Sequence, residues 1–264
     1  MLQFNHVTIC YGERPVVEDF SLAVDTGQIV SIVGESGSGK TTVIRAAMGL
    51  LPGDGHIAEG QILLDDVDLT ALSQKEWLAY RGERIAMIFQ DAGAMLNPIL
   101  PIGKQFVEML VAHHPDLDPK DARELALTGL RAVNLADPER VMAAYTFELS
   151  GGMRQRVGIA MAMAEDPRLL LADEPTSALD VTTQAQIVRQ MIALNRAHHD
   201  RQAIVMVTHN LGVAAYMSDV IVVMKDGRIV ETGTHDAILH RPADPYTKQL
   251  LAAVPTMAEG RMPQ

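Results

Sequence analysis

"IVSIVGESGSGKTT" (29–42) joins five mostly apolar residues to a glycine-rich turn and the start of a helix-forming run. Gly34, Gly39, Lys40 and Thr41 satisfy the spacing G-x-x-x-x-G-K-S/T. The context is the one such a loop requires: a buried strand ending at Val33 and a helix beginning near Thr42. Glycines let backbone N–H groups converge on β- and γ-phosphate oxygens that side chains would block. Lys40 can reach the same oxygens, the Thr41 hydroxyl can ligate Mg2+, and the helix N-terminus adds a favourable dipole. The whole stretch Gly34, Glu35, Ser36, Gly37, Ser38, Gly39, Lys40, Thr41 and Thr42 is therefore a nucleotide-phosphate candidate.

Outward from this loop, short apolar runs alternate with longer helical patterns, which predicts an α/β fold with a mainly parallel sheet flanked by helices. "IVSIV" (29–33), "RIAMIF" (84–89), "LLLAD" (169–173) and "AIVMVTH" (203–209) read as strands buried on both faces. Residues 2–9 and 219–231 read instead as antiparallel or edge strands, with a hairpin turn at Asp226-Gly227. Ser73 and Glu76 form a capping box before Trp77. Asp118-Pro119 opens a helix through Leu130. Strand signals vanish between about 92 and 160, which predicts a helical subdomain inserted in one domain spanning 1–253. Residues 254–264 have little to bury and read as a tail.

"LLLADE" (169–174) supplies the acidic partner. A strand ending in Asp173 would bring a carboxylate beside Mg2+, and Glu174 would face the water that attacks the γ-phosphate. "LSGGMRQ" (149–155) is a second glycine stretch, where Ser150 can cap a helix starting near Gly152 and leave an anion-binding tip. The first loop already wraps one nucleotide from its own side. The economical arrangement has the second stretch serve a nucleotide held by another subunit, a contact that repeats twice in a symmetric head-to-tail dimer.

The bulk numbers narrow the class. The chain has 264 residues, 48% hydrophobic and 21% charged, with a net charge of −11. That balance argues against sequence-independent nucleic-acid binding. Cys10 is the only cysteine, so no internal disulfide or thiolate cluster can form. The apolar runs are too short to cross a bilayer, and "MLQFNHVTIC" has no secretion-signal pattern. These features predict a soluble chain on the cytoplasmic side, held at a membrane only through another protein. The pairs His113-His114 and His198-His199 sit in polar turns and read as solvated rather than metal-binding.

"GESGSGKT", "LSGGM", "LLLADE", "SALD" and "THN", in this order, resemble the ATP-binding cassette (ABC) ATPase family over essentially the whole chain. The resemblance implies a RecA-like P-loop core, a small antiparallel β subdomain and the helical subdomain, with ATP and Mg2+ sandwiched between two cassettes. It implies Tyr11 stacking on adenine, Gln90 touching Mg2+ and sensing the nucleotide, and Leu149, Ser150, Gly151, Gly152 and Met153 as the signature that reaches the partner's ATP. It further implies Asp180 as the D-loop aspartate and His209 as the switch histidine on the γ-phosphate, joining Glu174 and Gln90 in catalysis.

"MIFQD…LNP", "LSGGMRQR", "ADEPTSALDVTTQAQI" and "RPADPYTKQLL" are similar to the peptide/nickel importer branch, where a methionine after "LSGG" is familiar. That likeness implies import of peptides, nickel or metal chelates. It also implies a second ATPase subunit, two integral-membrane permeases, an extracytoplasmic solute-binding protein acting indirectly, and a place on the cytoplasmic face of the membrane. The cysteine-rich C-terminal extension of larger members is expected to be missing. Residues 91–106 would meet the permease, although their composition fits subdomain core equally well. The alternative is a soluble ABC ATPase driving a cytosolic assembly such as iron–sulfur cluster biogenesis, against which "DVTTQAQI" and "PYTKQLL" speak.

Overall fold

Strands made of Val, Ile and Leu with no polar face can exist only where both sides are covered, and β3 (Ile29–Val33), β7 (Leu169–Asp173) and β8 (Ala203–Thr208) are buried at every position. They lie in a six-stranded sheet with β6 (Ile85–Ile88), β9 (Val220–Lys225) and β10 (Arg228–Thr234), in the order β10-β9-β3-β8-β7-β6. A computed structural model gives the fold and describes residues 1–177, 179–197 and 202–253. His198, His199 and the 254–264 segment lie outside these residues.

The second sheet is antiparallel, in the order β2-β1-β4-β5, from β1 (Leu2–Tyr11), β2 (Arg14–Val24), β4 (Gly55–Leu64) and β5 (Val67–Asp68). Helix α1 (Lys40–Ala47) packs between the sheets, and its buried Val43, Ile44 and Ala47 join Phe4, Phe20, Ile32 and Val205 in one core cluster. Each such side chain, fully buried, contributes on the order of 1.5–3 kcal/mol. Helix α2 (Gln74–Tyr80) begins at the capping box, with Ser73 and Glu76 bonding each other's backbone N–H groups. It buries Trp77 against the turn after α1.

Between the neighbouring strands β6 and β7 the chain leaves the sheet for α3 (Ala92–Met95), α4 (Ile102–His113), α5 (Pro119–Ala132), α6 (Pro138–Ala143) and α7 (Gly151–Met163). Asp118 caps α5 by accepting from the Lys120 N–H, with Pro119 in the first turn. A second core cluster joins these helices to the sheet through Ile102, Phe106, Leu130, Val157, Leu170 and Met206. Helices α8 (Val181–Ala197), α9 (Leu211–Met217), α10 (His235–His240) and α11 (Pro245–Ala253) complete the chain.

The expectation of antiparallel strands over 219–231 is met: β9 and β10 pair antiparallel, with β10 at one edge of the sheet and β9 interior, parallel to β3 on its other side. The hairpin at Asp226-Gly227 is as expected, with both residues at positive φ, 47° and 79°. Among the described residues no helix is long and apolar enough to cross a membrane.

Candidate functional site

The loop leaving β3 is shaped by close approaches that exclude side chains. A Cβ on Gly34 would lie 2.2 Å from the Met224 carbonyl oxygen, and one on Gly39, at φ +95°, 2.9 Å from Val17. Gly37, at φ +86°, faces open space at the loop's crest beside the exposed Glu35 and Ser36. Lys40 turns back under the loop. Its ammonium donates to the carbonyls of Gly34 at 2.8 Å and Glu35 at 2.6 Å, and to Ser38 Oγ at 3.3 Å. Burial pushes this ammonium below its usual pKa, opposed by the carboxylates of Glu174, Asp173 and Glu35.

The carboxyl ends of β7 and β8 bring the acids and the histidine to the loop. Thr41 Oγ1 donates to Asp173 Oδ1 at 2.8 Å, and Arg45 stands 4.0 Å from the other Asp173 oxygen. Burial pushes the Asp173 carboxyl up, opposed chiefly by the Thr41 hydroxyl and then by Arg45. Glu174 follows with φ 42°, a left-handed conformation uncommon outside glycine, and its N–H is anchored on the Val207 carbonyl. Strain of this kind collects at functional sites. It turns the Glu174 side chain toward His209, whose Nδ1 lies 3.0 Å from Glu174 Oε2.

Gln90 stands at the end of β6 and donates to Ser177 Oγ at 3.3 Å, while Ser177 Oγ donates to the Glu174 carbonyl at 3.2 Å. Ser177 thus ties Gln90 to the backbone of Glu174, a link sequence reasoning missed. Gln155 is another. Buried on α7, it accepts from the Ala92 N–H at 3.4 Å and donates to the Phe89 carbonyl at 3.2 Å, so it spans the turn that carries Gln90.

Leu149 is buried and Ser150 caps α7, accepting from the Met153 N–H at 3.3 Å. Gly151 is exposed, while a Cβ on Gly152 would lie 3.0 Å from Thr183 at the start of α8. Asp180 caps α8, accepting from the Thr183 hydroxyl and N–H, which hold its carboxyl below the usual range. Among the described residues no hydrogen bond or ion pair joins 149–153 to the loop at 34–42. Tyr11 ends β1 opposite Arg14 of β2 and packs over Gly55. His114 is exposed, as read, and its ring also meets a carboxylate oxygen of Glu165, whose side chain is buried.

A sequence-family model described as "ABC transporter" matches residues 17–177. The chain belongs to the ABC transporter family. Over 247 residues this ABC cassette is 45% identical to the oligopeptide transport ATP-binding protein OppD of Bacillus subtilis, covering 93% of this chain and 68% of that protein. Over 265 residues it is 39% identical to the dipeptide transport ATP-binding protein DppD of Escherichia coli, covering 99% and 80%. Among solved structures, the dimeric ATP-binding cassette MJ0796, in a post-hydrolysis state bound to ADP and Pi, superposes with a TM-score of 0.79 at 30% identity. That match covers 89% of this chain and 99% of the other. The RecA-like core with its β and helical subdomains is thus the ABC ATPase fold, and the chain is an ATP-binding, ATP-hydrolysing cassette.

The cassette's residues fit a divalent cation beside the phosphates. The Thr41 hydroxyl and the Asp173 carboxylate are hard oxygen donors 2.8 Å apart, and burial of the second raises its pKa, which a bound cation would offset.

Proposed function

We propose that this chain is the ATP-hydrolysing subunit of a peptide importer. The observation that carries the reading is the junction of Lys40, Thr41, Asp173, Glu174 and His209 at the ends of adjacent strands, in a chain whose reported relatives are named for oligopeptide and dipeptide transport. Those names favour peptides over nickel or a metal chelate, and an importer over a cytosolic assembly ATPase.

In this reading the loop from Gly34 to Thr42 cradles the triphosphate and Lys40 moves from the Gly34 and Glu35 carbonyls onto its oxygens. Thr41, Asp173 and Gln90 would hold Mg2+, which when bound neutralises phosphate charge. Glu174 takes the proton of the water whose oxygen bonds the γ-phosphorus as the bridge to the β-phosphate breaks. With Nδ1 engaged by Glu174, His209 keeps Nε2 for the γ-phosphate. Tyr11 stacks on adenine. Leu149, Ser150, Gly151, Gly152 and Met153 close over the nucleotide of a second cassette, identical or sister, and Asp180 lies at that contact.

Two permeases, served by a solute-binding protein on the far side, would hold the pair at the cytoplasmic face of the membrane. Exposed Met95 lines a cleft of about 220 Å3 with Met48, Phe89, Leu96 and Met161, and Ile99, four residues on, is also exposed, which suits an apolar permease segment.

The test is assembly. With Glu174→Gln and MgATP, the cassette, alone or mixed with its sister ATPase, should sediment as a dimer, and Ser150→Arg should return it to monomer while each monomer still binds ATP. Persistence of the dimer in Ser150→Arg would overturn the shared site. In reconstituted vesicles, ATP turnover should rise with peptide-loaded binding protein and not with nickel. Ile99→Glu should remove that stimulation and leave basal turnover intact.

A further inference from the structure

The peptide joining Gly34 to Glu35 is gripped at both ends. Its carbonyl accepts from the Lys40 ammonium at 2.8 Å, and its N–H donates to the phenol oxygen of Tyr246 at 3.0 Å, a contact spanning 211 positions of sequence. We propose that Tyr246 is a positioning residue of the nucleotide site, whose hydroxyl fixes the plane of the loop's first peptide and thereby the place where Lys40 waits.

Tyr246 is itself immobilised. Glu231 on β10 accepts from the N–H groups of Ala243 and Asp244 with its two carboxylate oxygens, at 2.8 and 3.0 Å. Asp244 in turn accepts from the Tyr246 N–H at 2.7 Å, which sets the first turn of α11. The Tyr246 ring is buried among Val33, Leu211 and Val223, with the Lys225 ammonium 5.0 Å from its centroid. Burial pushes the phenol's pKa up against the opposing Glu35 hydrogen bond, so the group meeting Glu35 is a neutral hydroxyl. Helix α11 also contributes Leu250 and Ala253 to a cavity of about 250 Å3 shared with Gly34, His209 and Asn210. It therefore backs both the loop's entry and the turn that carries His209.

The loop needs such a brace because of its own composition. Gly34 has no Cβ to resist rotation of the peptide that follows it, and Glu35, Ser36 and Gly37 are exposed. Rotating that peptide would withdraw the Gly34 carbonyl from Lys40. Without the hydroxyl, a smaller fraction of loops is ready for nucleotide, and the apparent affinity falls by that fraction. Tyr246 touches no reacting atom, so turnover at saturation should hold.

The inference rests on reading 34–42 as the nucleotide cradle, and the experiment separates the two. In the full chain, Tyr246→Phe should raise the MgATP Kd and KM about three- to tenfold, as expected for one net hydrogen bond. It should keep kcat within about twofold and the unfolding midpoint within about 2 °C of wild type, a shift that loss of packing would exceed. Exchange of the Glu35 amide proton should accelerate while amides of β3 and β8 keep their protection. Tyr246→Ala, which also removes the ring, should lose stability as well as affinity. Wild-type affinity in Tyr246→Phe overturns the inference, as does a Tyr246→Phe midpoint that falls as far as that of Tyr246→Ala. If wild type binds no MgATP, or Lys40→Ala binds it as tightly as wild type, the cradle reading fails first.

Discussion

Glu174 and His209 face each other from the ends of adjacent parallel strands, the histidine's Nδ1 3.0 Å from a Glu174 oxygen. Neither position is free to drift. The Glu174 N–H is tied to Val207 one strand over, and its carbonyl accepts from Ser177 Oγ. A carboxylate held this way can take a proton from water without first being ordered. Glu174→Gln keeps the shape and loses the basicity. It should lower ATP turnover at least about a hundredfold, the usual share of a general base, while MgATP binding survives. Phosphate release measured beside nucleotide binding separates the two, and near-normal turnover would remove Glu174 from its role.

Lys40 is buried and spends its ammonium on the carbonyls of its own loop. Burial lowers its pKa against the pull of the Glu174, Asp173 and Glu35 carboxylates, and a bound triphosphate would stabilise the charged ammonium further. Lys40→Ala should therefore weaken MgATP binding about ten- to a hundredfold, the range for a hydrogen bond to a charged group. Calorimetric titration reads this directly. Unchanged affinity would mean that phosphate does not reach Lys40.

What local chemistry dictates was legible, and what distant packing dictates was not. β3, β7 and β8 announced themselves because strands covered on both faces carry no polar alternation. The loop at 34–41 did so because only glycine fits against Met224 and Val17. The antiparallel pairing of β9 was legible because "VIVVMK" before Asp226-Gly227 displays its hairpin partner, whereas its parallel pairing with β3 lies far away in sequence and was not. Gln155, Ser177 and Tyr246 were invisible as site residues for the same reason. Their bonds reach partners 63, 87 and 211 positions away, and nothing in their neighbours' identities encodes that. Glu174 was proposed from its place after Asp173, and its left-handed backbone, which turns it toward His209, has no sequence signal.

The helix that starts at Lys40 is also held from its far end. Arg81 donates to the carbonyls of Met48 and Gly49, at 3.1 and 2.8 Å, and its guanidinium lies 4.9 Å from the centroid of the Trp77 ring. Gly49 sits at φ +62°, where an added Cβ would come within 2.5 Å of that indole. Gly49→Ala should cost about 2–4 kcal/mol, combining left-handed strain with overpacking. Gly53→Ala, at φ +61° with open space around it, should cost only the strain, about 1–2 kcal/mol. Trp77 is the chain's single tryptophan, so urea unfolding followed by its fluorescence reports both. Equal losses would show that the indole yields.

The Glu231 clamp on the turn before α11 carries a pH signature. Burial acts to raise the Glu231 carboxyl, but the Ala243 N–H, the Thr247 hydroxyl, the Asp244 N–H and the Lys248 ammonium together outweigh it and hold the pKa below its ordinary 4.5. A depressed carboxyl adds stability that is complete above the unfolded value and lost as pH falls through the folded one. Glu231→Gln should therefore melt below wild type by a constant gap between pH 6 and 8, and the gap should close as pH drops below 4.5. Because the clamp fixes Asp244, and Asp244 fixes Tyr246, the same variant should weaken MgATP binding at neutral pH. Calorimetric melting across pH tests the first expectation. A gap that widened toward acid would mean that burial, not its partners, governs Glu231.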